Sequence, residues 1–373
     1  MMDTHFEHPT NIFALRPCRN PEAPDLLAIG GEHSVQVIQV HDTTCTLLAT
    51  FRIGSRITAL AWSSRTVSPA YSDAWHIDLT CAAADFGLYH LSKNASSGDE
   101  IVFPFGGGLS GHHAKVNDMV FAGGWDEESA HDKTLMVWDL YPTKNPTRSP
   151  SVMSESDLPI EGITPPPSPR EQPNALAFPF PHPLTTIRAH PGTSKEFLVA
   201  DARGSVFITD WRTLPDEGDD NLRHSSLVEL VEPTALARAA IGTMQTWSAS
   251  VDWKPDAIDI IGGVFGNKFA LWDVGQLRGG LPHKTGPTFP DGGHVFRWSP
   301  THTEYFGISA SSPTKGAIVQ IHNMHFVNAS PANFTFAPKP HFIRDFDFLS
   351  LEGIPRVAAA IGRKVMISQI GVE

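Results

Sequence analysis

The chain has 373 residues, a formal net charge of -12 and 41% hydrophobic residues. That length carries one large all-β domain or two smaller ones. The acidic balance argues against a nucleic-acid surface, which needs clustered Lys and Arg, while leaving room for a local basic patch. Cys18, Cys45 and Cys81 are odd in number and include no Cys-x-x-Cys pair, which speaks against a disulfide framework or zinc site and for a reducing compartment. The N-terminal Met1-Met2-Asp3-Thr4-His5-Phe6 lacks the apolar core of a signal peptide, and no stretch approaches the roughly 18 apolar residues of a membrane span. With no secretory signal, the sequons at Asn94 and Asn333 are read as chance matches.

Runs of β-branched and aromatic residues bounded by Gly, Pro, Asn and Asp predict strands. A first group begins near Asn11 to Leu15, continues through Asp25 to Gly31, returns along Val35 to Val40 and ends on Thr46 to Phe51. A second runs from Arg56 to Trp62, then Leu79 to Ala84, a turn at Asp85, and Leu88 to Leu91. A third opens at Gly111-His112, takes Val116 to Phe121 and reaches Trp138-Asp139. Its middle stretch, Gly123 to Lys133, is short and acidic where a strand buried on both faces should be apolar, so distortion is expected there. The fourth takes Leu184 to His190, Phe197 to Ala200, a turn at Asp201 to Gly204, and Ser205 to Ile208. The fifth takes Ala249 to Trp253, Ile260 to Val264, a turn at Gly266-Asn267, and Phe269 to Asp273. The sixth takes His294 to Trp298, Tyr305 to Ser309 and Ile318 to Ile321. The seventh takes Ile343 to Phe348, Val357 to Ile361 and Val365 to Ile370.

Trp-Asp pairs end short apolar strands at Leu135-Met136-Val137-Trp138-Asp139 and Phe269-Ala270-Leu271-Trp272-Asp273, with a degenerate cousin in Val206-Phe207-Ile208-Thr209-Asp210-Trp211. The pattern is similar to that of WD40 repeats and predicts an all-β, seven-bladed WD40 β-propeller over residues 1–373. At roughly 40–45 residues per blade, about 300 residues suffice, and the surplus belongs in loops. The seventh group is one strand short. The segment around Phe6 is expected to supply that strand and close the ring.

Residues 142–183 differ in kind. Twelve prolines fall there, a density expected to prevent a β ladder and leave a disordered, proline-rich insertion between blades three and four. Ser149-Pro150, Thr164-Pro165 and Ser168-Pro169 match proline-directed phosphorylation, a pattern that composition alone also produces. The acidic run at 216–220 reads as a solvated loop.

His112, Ser129, Asp132 and Trp138 superficially form a Ser/His/Asp set. The structural reading, a buried hydrogen-bonded tether within one blade, is preferred because no nucleophile elbow or oxyanion hole is readable. Asp85, Asp201 and Trp272 belong to the same structural class, the two aspartates through turn chemistry rather than metal binding. The 18 histidines show no metal-ligand spacing, and Gly106-Gly107-Gly108 and Gly262-Gly263 lack the frame of a nucleotide loop. No cofactor or catalytic residue is expected. Trp75, Phe103, Phe105 and Trp125 stand in segments that do not read as blade interior, and are read either as partner anchors or as cover for blade edges.

Several segments occur together in order: Leu26 to Gly31, Ile57 to Ser63, Cys81 to Asp85, Val116 to Phe121, Val199 to Ser205, the Gly262 to Asp273 hairpin, and Phe296-Arg297-Trp298-Ser299-Pro300 ahead of Gln320-Ile321-His322. In these the chain resembles the small WD40 nucleoporins of the Y-shaped outer-ring complex. The resemblance covers most of the chain outside the proline-rich insertion and the acidic loop, and the polar stretch in blade three departs from it. It implies a non-catalytic scaffold at the nuclear pore of the nuclear envelope, docked to the long-arm nucleoporin and supporting nucleocytoplasmic transport; neither direct nucleic-acid binding, given the acidic charge, nor direct membrane insertion is expected. The alternative is a substrate receptor of another assembly such as a ubiquitin ligase. The Trp-Asp-x-Arg motif of such receptors is not met, since Leu140-Tyr141 follows the first pair and Val274-Gly275 the second.

Overall fold

A computed structural model describes residues 4–106, 111–121, 127–131, 134–140, 172–193, 196–210, 228–241 and 249–371. The described residues form seven four-stranded antiparallel sheets in a β-propeller arrangement. Sheet one is Ala14–Pro17, Leu26–Gly30, Ser34–Val40 and Cys45–Arg52. Sheet two is Ile57–Trp62, His76–Ala83, Leu88–Asn94 and Ile101–Phe105, and sheet three is Met119–Phe121, Glu127–His131, Thr134–Asp139 and Asn174–Pro179. Sheet four is Leu184–Ala189, Glu196–Asp201, Ser205–Asp210 and Val228–Val231, and sheet five is Ser250–Trp253, Ile260–Phe265, Lys268–Asp273 and Lys284–Pro287. Sheet six is Gly293–Trp298, Tyr305–Ala310, Ala317–Asn323 and Ala332–Ala337. Sheet seven is Asp345–Phe348, Arg356–Ile361 and Lys364–Gln369, completed by Thr4–Glu7 from the other end of the chain. The one α-helix among the described residues, Pro233–Ile241, follows sheet four.

The first strand of each sheet lines a central axis, and these inner strands touch one another in chain order, the last returning to the first. The N-terminal strand seals the ring in register, with Thr4 opposite Ile367 and Glu7 opposite Lys364, so the last sheet has no unpaired third strand. The closure expected around Phe6 is therefore present.

Burial follows from stacking sheets face to face. Leu26–Gly30 is buried at every position, as is Ser34–Val40, because both faces meet neighbours. Seven apolar clusters fill the seven contacts between consecutive sheets. The last joins Leu15, Ile29 and Ile38 to Ala358, Ala360 and Ile367 across the closure. Small residues in second strands admit large rings from the next sheet: a Cβ on Gly262 would lie 2.3 Å from the Phe296 ring.

Sheet three is the irregular one. Its inner strand has three residues, but Glu127–His131 does pair with both neighbours. The predicted insertion must be shortened at its C-terminal end. Asn174–Pro179 is the outer strand of sheet three, paired along the whole of Thr134–Asp139, and Phe178 and Phe180 lie against the cluster between sheets three and four. The ladder survives because 174–178 contains no proline, and Pro179 sits at the end of an edge strand, where a missing donor costs nothing.

Candidate functional site

The inner strands have one edge facing the axis, where no further strand satisfies the backbone. Carboxylates take that role. Asp345 accepts from the Leu15 N–H at 3.0 Å, Asp118 from the Ile187 N–H at 3.3 Å and Asp252 from the Trp298 N–H at 3.4 Å. Each aspartate thus binds the inner strand of the following sheet. Indole N–H groups tie strands in the opposite sense: Trp62 donates to the Arg16 carbonyl at 2.8 Å and Trp298 to the Asp252 carbonyl at 3.2 Å.

The same aspartates meet four arginines on the axis. Arg16 contacts Asp118 at 2.9 Å and Asp347 at 3.9 Å. Arg19 reaches Asp347 at 3.2 Å and Asp252 at 3.9 Å. Arg188 pairs with Asp118 and, at 3.4 Å, with Asp252. Arg297 contacts Asp345 at 3.4 Å and Asp347 at 3.6 Å. Four positive and four negative groups thereby form one connected, neutral plug. Sheet two contributes none of them and offers Ala59 and Ala61 instead. Burial alone would raise the Asp347 carboxyl. The guanidiniums of Arg19, Arg297, Arg16 and Arg188 overcome that and hold it below the ordinary carboxylate range. Arg297 is pushed down to about 10 by burial and by Arg188 and Arg16, and stays charged at neutral pH. Arg188 is raised: burial opposes its charge, but Asp118 and Asp252 outweigh burial.

The plug separates two mouths. On the lower face, where the inner strands end, a cavity of about 1170 Å³ is lined by Trp62, Tyr71, His190, Trp253 and a set of prolines that includes Pro191 and Pro300. His190 meets Trp253 edge-on, with centroids 4.8 Å apart. Exposed apolar side chains gather on the loops of this face: Tyr71, Ile258, Leu277, Leu281, Phe326 and Ile354. On the upper face, where the inner strands begin, a cavity of about 320 Å³ is lined by Phe13, Lys115, Asn117, His294 and Arg344 above Arg16, Arg188 and Arg297. The Arg56 and Arg344 guanidiniums lie 5.2 and 5.3 Å from the centroid of the Phe13 ring. The Lys115 ammonium is lowered by burial and by repulsion from Arg56 and Arg344. His294 is also lowered, by burial first, with Asp345 opposing and Arg297 and Arg344 assisting.

The residues singled out in the sequence fall elsewhere. His112 and Trp138 are both buried at the contact between sheets two and three, and Ser129 lies in Glu127–His131. Asp132 lies outside the described residues. Asp85 accepts from the Gly87 N–H at 3.1 Å and the Tyr89 hydroxyl at 3.1 Å; Asp201 accepts from the Arg203 and Ser205 N–H groups at 2.8 and 3.0 Å. Both aspartates therefore organise hairpin turns. Trp272 is buried, its indole N–H donating to the Gly280 carbonyl at 3.0 Å.

Two of the four aromatics read as anchors or edge cover stand in a strand rather than on a loop. Phe103 and Phe105 belong to the outer strand Ile101–Phe105. Phe105 is 3% exposed and meets Trp138 edge-on, and Phe103 is half-buried against the same cluster. The alternation of this half-exposed strand hid it in the sequence. Trp75 is half-buried against the cluster between sheets one and two, on a lower-face loop. Trp125 and the phosphorylation candidates Ser149, Thr164 and Ser168 lie outside the described residues.

The ionic plug was missed. Its one sequence signal is a single charge set among apolar residues in a first strand, as in Val251-Asp252-Trp253 and Phe296-Arg297-Trp298. Among the described residues no group of His, Cys, Asp and Glu is disposed to hold a metal ion, and no helix is long and apolar enough to cross a membrane. Comparison with protein-family models and with curated proteins finds no match to either.

Proposed function

We propose that the seven sheets are the blades of a WD40-type propeller and that the chain is a non-catalytic scaffold subunit. On this reading it docks to the long-arm nucleoporin of the outer-ring Y-complex at the nuclear envelope and supports pore assembly and transport. The observation that carries a docking role is the uneven distribution of exposed apolar side chains. Tyr71, Ile258, Leu277, Leu281, Phe326 and Ile354 all stand on lower-face loops, and Tyr71 lines the wide lower mouth. Apolar side chains around an aromatic-lined hollow are what a protein interface buries at its centre. The charged groups on the axis are committed to one another, which supports a structural role for them rather than a catalytic one. The nucleoporin assignment itself rests on the ordered sequence segments, from Leu26-Leu27-Ala28 to Phe296-Arg297-Trp298.

The test is affinity purification of the tagged chain from its own cells, with co-purifying proteins identified. Recovery of outer-ring nucleoporins is expected, and recovery should fall when Phe326 and Ile354 are both changed to Asp. Those side chains are 69% and 55% exposed, so the fold should survive the change. Recovery of a ubiquitin-ligase adaptor without nucleoporins would overturn the assignment in favour of the receptor reading.

A further inference from the structure

The upper mouth carries a charge arrangement unlike the rest of the molecule. The four arginines of the plug each contact an aspartate, yet no carboxylate among the described residues lies within ion-pair distance of Arg56, Lys115 or Arg344. All three are exposed; Lys115 and Arg344 line the small upper cavity, and Arg56 lies beside it, sharing the Phe13 ring with Arg344. Asp118 and Asp345 on the cavity floor do not neutralise them. Asp118 is engaged by Arg16 and Arg188, and Asp345 by Arg297 and the Leu15 N–H. Three like charges are gathered on a chain whose net charge is -12. They are also held in place: Phe13 sits under both guanidiniums, and the Phe342 ring lies 4.9 Å from that of Arg344. Partial burial of its stem first, and then repulsion from the two guanidiniums, depresses the Lys115 ammonium.

We propose that the upper mouth, rimmed by Arg56, Lys115 and Arg344, is a binding site for a phosphorylated serine or threonine side chain of a partner protein. Three cations call for more than one negative charge. A phosphate monoester brings about -1.5 to -2 and three acceptor oxygens, whereas a carboxylate brings one charge and two oxygens. The cavity, about 320 Å³, is at the small end for ligand sites. It has room for one phosphorylated side chain. Asn117 and Thr185 add neutral polar groups to the wall. The site is on the opposite face from the apolar mouth, so it does not depend on the scaffold reading and both faces can be occupied together.

The probe is a fluorescein-labelled degenerate peptide library with a central phosphoserine, titrated with the full-length chain and followed by anisotropy. Two control libraries carry serine or glutamate at the centre. Tighter binding of the phosphoserine library than of either control, by at least tenfold, is expected, with competition by free O-phosphoserine and steep weakening by salt. Lys115→Gln and Arg344→Gln should each cost about tenfold or more. Their melting temperatures should match the wild type, because neither residue belongs to the plug. Equal binding of the three libraries would overturn the proposal. So would phosphoserine binding that both variants retain, or variant-sensitive binding of a single-stranded RNA oligomer in place of the phosphopeptide.

Discussion

Replacing Asp347 by Asn removes one negative charge from the plug while keeping shape and the acceptor for the Phe348 N–H, which Asp347 binds at 2.8 Å. The carboxylate is fully buried and touches Arg19 at 3.2 Å, Arg297 at 3.6 Å and Arg16 at 3.9 Å. Breaking a buried ion pair by removing one partner costs about 3–5 kcal/mol. Here each arginine keeps another acid: Asp252 for Arg19, Asp345 for Arg297 and Asp118 for Arg16. The expected cost is therefore about 3 kcal/mol, the low end of that range. At about 2.1 cal/mol/K per residue, a 373-residue chain has an unfolding entropy near 0.8 kcal/mol/K, so the melting temperature should fall by about 4 °C. Urea unfolding measures the free energy directly.

The pH dependence has a definite sign. The Asp347 carboxyl is depressed in the fold, so its contribution is present above the unfolded value of about 3.9 and is lost as pH falls through the lower folded value. The gap between wild type and Asp347→Asn should stay constant from about pH 8 to 5 and narrow below about 4. Combining Asp347→Asn with Arg297→Gln should cost less than the sum of the single changes, because the second removes the charge that the first leaves under-compensated. A cost for Asp347→Asn below about 1 kcal/mol, with additive behaviour in the double variant, would refute the plug as a cohesive network.

His322 is 4% exposed, stacked on Phe306 at 5.1 Å and close to Phe269 at 4.9 Å, and burial pushes it down to about 4. Its neutral form is the folded one, so stability should be intact above about pH 6.5 and decline by about 3 kcal/mol toward pH 4. His322→Phe should flatten that decline in part, leaving the contributions of His8 and His294, which shift the same way. Trp272→Ala should cost about 3–5 kcal/mol by urea unfolding, since it empties a buried site against Phe265 and removes one of the two donors to the Gly280 carbonyl, leaving the Val231 N–H; a cost below about 1 kcal/mol would break the register of sheet five. Replacing 142–171 with a short Gly/Ser linker should leave the melting temperature nearly unchanged, because Asp139 and Asn174 are register partners and their ends already meet. Extending the replacement through 183 removes the outer strand of sheet three with Phe178 and Phe180, and should lower the melting temperature clearly. Deleting residues 1–10 exposes the edge of Lys364–Gln369 and should lower the melting temperature and promote self-association on gel filtration.

Most inner and central strands were legible because they are apolar and end on Gly or Asp turns, as Leu26–Gly30 and Lys268–Asp273 do; the polar Glu127–His131 was the exception. Closure by the N-terminus was legible by subtraction, since the last group was one strand short. The outer strands were mostly not. Ile101–Phe105, Asn174–Pro179, Val228–Val231, Lys284–Pro287 and Ala332–Ala337 are exposed along much of their length and carry little hydrophobic signal. Proline counting failed at 174–178 because a few proline-free residues suffice for an edge strand. The plug was hidden for a different reason. Arg16 and Asp347 stand at opposite ends of the chain, and only ring closure brings them to one axis. The upper cluster is similarly dispersed, with Arg56, Lys115 and Arg344 each just before an inner strand or near its start and far apart in sequence.

The docking claim is tested most directly by size-exclusion chromatography of the purified full-length chain mixed with its cognate long-arm nucleoporin. The scaffold account predicts a stable complex that co-elutes, burying at least about 1,000 Å², and predicts that Phe326→Asp with Ile354→Asp on the lower face weakens it at least tenfold, about 1.4 kcal/mol, while Arg344→Gln on the upper face leaves it intact. Separate elution of the two wild-type proteins would contradict the scaffold reading.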